Sequence, residues 1–354
     1  MNLKNLLTSL LTLVLFTVLV SSSAFAQTYV SNTNGNDITG SGTALSPYKT
    51  ITKGIASTSE GGSVVILADT YNETVPAITK SLTLISQSFS GLNTVTITNG
   101  LTVNGTGKTV NIGRTADGSV AFNLGATTTA LILQDGSVNI SQANVVIASG
   151  GRITRTAGTI NEAPTTTNVD VLYNGTTSIT AGAELPASLG TGTLTVNLGA
   201  AATLLTVNGN LALSSGQIVV TQGSVAFNGT VSISSDTPNA AAITNNGAGT
   251  VTFANAVSGA RASSGALVTT SITNGAGVVT LTGGVSGTST FAFGLTNGAG
   301  TINVGAGTYA GPIVNNTAAG TLNLLSSVTF SNASVSNGNA TAVVKLNGFQ
   351  ISLT

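Results

Sequence analysis

A short unit recurs four times near the C-terminus, and it restricts the fold more than any other feature of the chain. The copies are TNNGAGTVTFANAVSG from Thr244, TNGAGVVTLTGGVSG from Thr273, TNGAGTINVGAGTYAG from Thr296 and NNTAAGTLNLLSSVTF from Asn315. Their anchoring glycines, Gly249, Gly277, Gly300 and Gly320, lie 28, 23 and 20 residues apart. Two residues after each comes Val251, Val279, Ile302 or Leu322, and two further on Phe253, Leu281, Val304 or Leu324. That alternation marks a strand with one buried face. Val257, Val285, Tyr309 and Val328 start a second strand in each unit. A unit this small cannot bury its own apolar face, so equivalent units must stack into a solenoid. Variable turns between fixed strands favour a right-handed parallel β-helix over a strict short-period solenoid. Asn246, Asn274, Asn297 and Asn316 are expected to stack as a hydrogen-bonded ladder.

The middle of the chain repeats the pattern less regularly, in pieces such as SLTLISQS, KTVNIG and TLTVNLG. The expected fold is therefore all-β: a single-stranded right-handed parallel β-helix over 27–354, most regular over 243–354, with a short N-terminal capping helix. Charged residues make up only 6%, against about 25% in ordinary soluble domains, while apolar residues reach 41%, enough for a core.

Residues 1–26 read as a cleaved secretory signal: Lys4, an apolar stretch over 6–20, then Ala24-Phe25-Ala26 before Gln27. No second apolar span follows. Removing Lys4 leaves nine basic against ten acidic residues, a net charge of −1. That balance excludes a nucleic-acid binder, which needs clustered Lys and Arg. The expected location is extracellular or on a bacterial cell surface.

Residues 46–75, SPYKTITKGIASTSEGGSVVILADTYNETV, hold the one helical pattern. Ser46 is expected to cap it, Pro47 to open it, and Gly61-Gly62 to end it. Tyr48, Ile51 and Ile55 share one helical face, suited to covering the first coil. Together with Tyr29-Val30-Ser31, Gly35-Asn36-Asp37 and Thr70 to Glu73, this stretch resembles the opening segment of the pectin-lyase-like β-helix superfamily. The match covers residues 28–75, with Asp69 standing where a glycine is usual. The resemblance implies the fold. It leaves activity open, because the superfamily includes lyases, hydrolases, epimerases and adhesins.

The residues offer little for catalysis. The absence of His removes Ser-His triads and imidazole bases, and the absence of Cys removes disulfides and thiolate metal sites. No Asp-rich cluster suits calcium, so no metal or cofactor is expected. Ionisable groups concentrate between Arg114 and Glu184, including Asp117, Asp135, Arg152, Arg155, Glu162 and Asp170. Arg152, Arg155, Glu162 and Asp170 are the ligand-binding candidates, with the two arginines placed to clamp an acidic sugar. Tyr48, Tyr71 and Tyr309 are candidates for sugar stacking, although Tyr71 belongs to the opening pattern. No charged residue occurs between Ala262 and Ala342.

The leading expectation is a non-enzymatic structural, adhesive or carbohydrate-binding protein whose partners are extracellular polysaccharides or cell-surface glycans. The alternative is a polysaccharide lyase or glycoside hydrolase, which requires Arg152 or Arg155 to converge with two carboxylates. A third reading, ice binding, needs Thr-x-Thr in register on a flat face. The final TAVVKLNGFQISLT reads as strand, turn and strand, so the chain is expected to be part of a longer product.

Overall fold

A computed structural model describes residues 27–353 apart from 116–120, 126–129, 141–144, 167, 239–241, 262, 264, 266, 289–290, 310–311, 316–318, 331–334 and 338–341. Residues 1–26, expected to be a signal, and Asp117 and Asn316 lie outside the described residues. The chain winds as a right-handed parallel β-helix, and every register between named strands is parallel. Each coil contributes to as many as three walls.

Wall I begins at Ile78, which bridges Val103, and continues through residues 101–103, 131–133, Gly151–Arg155 and Val169–Gly175. It then runs unbroken to Val335–Asn337. Wall II starts with Gln27–Val30 and passes through Ser63–Leu67 to Thr159–Ile160. It resumes at Ile179–Thr180 and ends at Val343–Lys345. Wall III holds Thr70–Tyr71 to Val145–Ile147, then Leu211–Ser214 to Ile351–Leu353. Alternate residues point into the lumen, where one continuous apolar cluster runs from Val30 to Phe330.

Inward positions line up from coil to coil. The stack Phe227 on Phe253 has ring centroids 4.9 Å apart and planes 4° apart, because their strands pair in register. One wall I column reads Leu133, Arg155, Tyr173, Val196, Val220, Asn245, Asn274, Asn297 and Asn315. The asparagine ladder therefore starts at Asn245 rather than Asn246 and includes Asn315 in place of Asn316. The expectation placed each Asn by the turn, three or four residues before the anchoring glycine. The structure instead fixes the lumen column and lets the turn vary: each Nδ2 reaches the carbonyl of Gly249, Gly277, Gly300 or Gly320 at 2.9–3.1 Å, across 4, 3, 3 and 5 residues. The side chains are joined by Nδ2 to Oδ1 bonds of 3.0, 2.9 and 3.0 Å. Each amide so closes its own turn and ties it to the next coil.

Helix α1 (Ile51–Ser57) covers the first coil, with Ile51, Gly54 and Ile55 buried. It begins one residue after Thr50, not at Ser46. The cause is long-range capping. Thr50 Oγ1 accepts from Lys53 N–H, Glu73 accepts from Ile51 and Thr52 N–H, and Asp37 accepts from Lys49 and Thr50 N–H. Tyr48 consequently lies outside the helix. It is half-buried, bridges Val30, and places its ring beneath Lys53 Nζ. Gly54 permits the close approach of α1, since a Cβ there would stand 2.3 Å from Val30 Cγ2. Tyr71, 2% exposed, donates its hydroxyl to the Leu67 carbonyl.

Candidate functional site

Among the described residues the superhelix is interrupted at one coil. Thr159–Ile160 pairs back to Ser137 and Val138, while Ile179–Thr180 pairs on to Leu205 and Thr206. Both segments follow wall I in consecutive coils, yet no bridge joins them among the described residues. Wall III parts at the same place: Thr165 bridges back to Val146, and Ser188 bridges on to Ala212. Among the described residues wall I alone carries the chain across, through five registered pairs from Gly151↔Val169 to Arg155↔Tyr173. A cleft of about 460 Å³ opens in wall II, between residues 157–160 and 177–180, with Arg155 and Gly182 completing its lining.

Arg152 and Arg155 separate at this coil. An odd spacing along a strand puts two side chains on opposite faces, and Ile153 between them is fully buried. Arg155 follows Ile153 into the lumen column and is 8% exposed. Arg152 points outward with its register partner Asp170, 3.8 Å away, and both are substantially exposed. Such a pair contributes little in water. Asp170 Oδ1 also accepts from Thr193 N–H at 2.9 Å. Glu162 is exposed and pairs with neither arginine. The two arginines so occupy opposite sides of one strand and do not share a ligand.

The partner of Arg155 is Glu184, on the turn that follows Ile179–Thr180. Arg155 Nη1 reaches Glu184 Oε1 at 2.5 Å and the Thr180 carbonyl at 3.0 Å. Glu184 Oε1 also accepts from Tyr173 Oη (2.7 Å) and Gly182 N–H (2.8 Å). Glu184 and Tyr173 are fully buried, and burial together with the adjacent carboxylate pushes the Tyr173 hydroxyl well up. Arg155 Nε and Glu184 Oε2 are buried without a partner. Burying a charge pair is costly unless its geometry and remaining bonds are satisfied. Here the arginine does the work of a missing strand: it answers a wall II carbonyl that no neighbouring coil meets. Glu184 belongs to the ionisable stretch seen in the sequence but was not singled out. Its one signal was a carboxylate set among Ala183, Leu185 and Pro186.

The other acidic residues have equally local duties. Asp37, Glu60, Asp69, Glu73, Asp135, Asp170, Glu184 and Asp236 each accept a backbone N–H bond. Partial burial pushes Asp37 up, but bonds from Thr50 and Lys49, with Lys53 nearby, hold it below the usual carboxylate range. Bonds from Ser81 hold Glu60 down, as Thr106 does for Asp135 and Ser263 for Asp236. Among the described residues no three acidic groups gather in a way that suits a metal ion.

The aromatic candidates divide as well. Tyr71 and Tyr309 are buried in the core, so neither ring offers a sugar-stacking surface. One outward row of wall II reads Thr252, Thr280, Asn303 and Asn323 in register. Asn323 donates to Asn303, and Asn303 donates to Thr280, each at 2.9 Å. The row is therefore not a uniform threonine array. Comparison of the chain with protein-family models, with curated proteins and with solved structures finds no match in any of the three.

Proposed function

We propose that the chain is a secreted, non-catalytic β-helix of the pectin-lyase-like superfamily, working outside the cell or on a bacterial surface as a structural, adhesive or carbohydrate-binding rod. The observation that carries this reading is the use of its carboxylates. Eight of ten are engaged by backbone N–H groups, Asp117 lies outside the described residues, and Glu162 is exposed. A lyase or hydrolase needs an acid and a base within contact of one substrate atom. Arg155 instead meets one buried carboxylate, and Arg152 meets one exposed carboxylate on the other face. The outer surface suits neutral, hydroxyl-rich ligands, with rows such as Thr244, Thr273 and Thr296 in register and no charge between Ala262 and Ala342.

The test is a glycan array combined with a turnover screen on the bound polysaccharides. Retention of a glycan without bond cleavage supports the proposal. Release of unsaturated or reducing ends replaces it with the lyase or hydrolase reading.

A further inference from the structure

The edges of the interrupted wall II show what the cleft is built to accept. Asn161 N–H donates backward to the Val138 carbonyl at 3.1 Å, and Ala181 N–H donates forward to the Thr206 carbonyl at 2.8 Å. Successive peptide groups along a strand point to opposite edges. The N–H and C=O groups of Ile160 and Thr180 consequently face the cleft. There Arg155 Nη1 answers the Thr180 carbonyl. The cleft thus lies between two parallel strand edges, and Glu184 neutralises the one cation beside it.

Its volume is that of a few extended residues. A rise of about 3.3 Å, a strand spacing of about 4.8 Å and a sheet spacing of about 10 Å allot about 160 Å³ to each extended residue. The 460 Å³ of the cleft then holds about three residues. Ala157, Gly158 and Gly182 in the lining carry little or no side chain and so leave room for those of an incoming segment.

We propose that this cleft binds an extended, uncharged peptide segment of another protein as an added strand that closes wall II. The unmet groups are peptide groups in strand geometry on both sides, which a peptide backbone matches along its length. The proposal stands apart from the glycan reading, because it concerns the gap in the wall and not the outward rows.

The probe is a fluorescein-labelled peptide TLTVNL, the sequence of the chain's own strand Thr193–Leu198, titrated against residues 27–354 with anisotropy as the readout. Saturable binding is expected. N-methylation of alternate amides in the peptide should abolish it, since backbone donors are removed while the side chains stay. Thr180→Pro removes an N–H that faces the cleft and spares the ladder to Leu205, so affinity should fall about fivefold to tenfold. The methylated peptide keeps the test valid if that variant folds poorly. Absence of saturable binding at millimolar peptide, or binding indifferent to N-methylation, overturns the proposal. So does displacement of the peptide by neutral oligosaccharides, which would make the cleft a sugar site.

Discussion

Replacing Asn274 by Ala probes the link between the lumen column and stability. An amide side chain carries two donor hydrogens and one carbonyl. The Nδ2 of Asn274 lies within reach of Gly277 O (2.9 Å), Asn297 Oδ1 (2.9 Å) and Thr301 O (3.2 Å), and its Oδ1 accepts from Asn245 (3.0 Å). The substitution removes about three buried hydrogen bonds, each contributing about 1 kcal/mol, so the coil should lose about 3 kcal/mol. Asn245→Ala is the informative contrast. Asn245 starts the ladder, since its register partner in the preceding coil is Val220 and its Oδ1 is buried without a partner. Its removal deletes donor bonds and one unsatisfied atom together, so the net loss should be about 1 kcal/mol. Asn303→Ala, on the half-exposed outer row, should cost less than about 1 kcal/mol. Urea unfolding of residues 27–354 gives the three values from midpoint and slope. Equal losses for Asn274→Ala and Asn303→Ala would refute the reasoning, as would an Asn245→Ala loss as large as that of Asn274→Ala.

Arg155→Met should destabilise by about 3–5 kcal/mol, because it leaves Glu184 buried and unpaired, while Arg155→Met with Glu184→Leu should recover most of that loss in the same urea assay. Ile51→Asp places a charge where exposure is 0%, so thermal unfolding should show the N-terminal coils melting early, with a loss of about 3–5 kcal/mol. Gly54→Ala should cost about 1–3 kcal/mol by pushing α1 off Val30, read as a lower thermal midpoint. Asp37 has a depressed folded pKa, so its contribution is full above the unfolded carboxylate value of about 4 and is lost as pH falls through the folded value. The thermal midpoint should therefore drop in acid, and Asp37→Asn should flatten that drop.

Particular residues show where sequence and structure part. The walls were legible because period-two alternation survives even in irregular coils such as Thr193–Leu198. The helix was legible, but its start was not. The groups that fix it, Asp37 and Glu73, lie 12 and 22 residues from the N–H groups they cap. The ladder was legible to within one residue, because strand register rather than turn length sets the column. The opposite orientation of Arg152 and Arg155 follows from their odd spacing. The pairing with Glu184 does not, since it depends on how residues 181–188 fold back toward the lumen. The cleft lies in the ionisable stretch that the sequence marks, and Arg155 in its lining was a candidate, but the gap itself is revealed only by the missing pairing between residues 157–160 and 177–180.

The central claim is that one wall carries the solenoid through the Arg155–Glu184 coil while its neighbours are open. Residue-resolved amide hydrogen exchange tests it most directly. The account predicts slow exchange at Asn161 and Ala181, whose N–H groups are bonded to neighbouring coils, and fast exchange at Ile160 and Thr180, whose N–H groups face the cleft. Equal protection at all four amides would mean that wall II is closed, and would contradict the account.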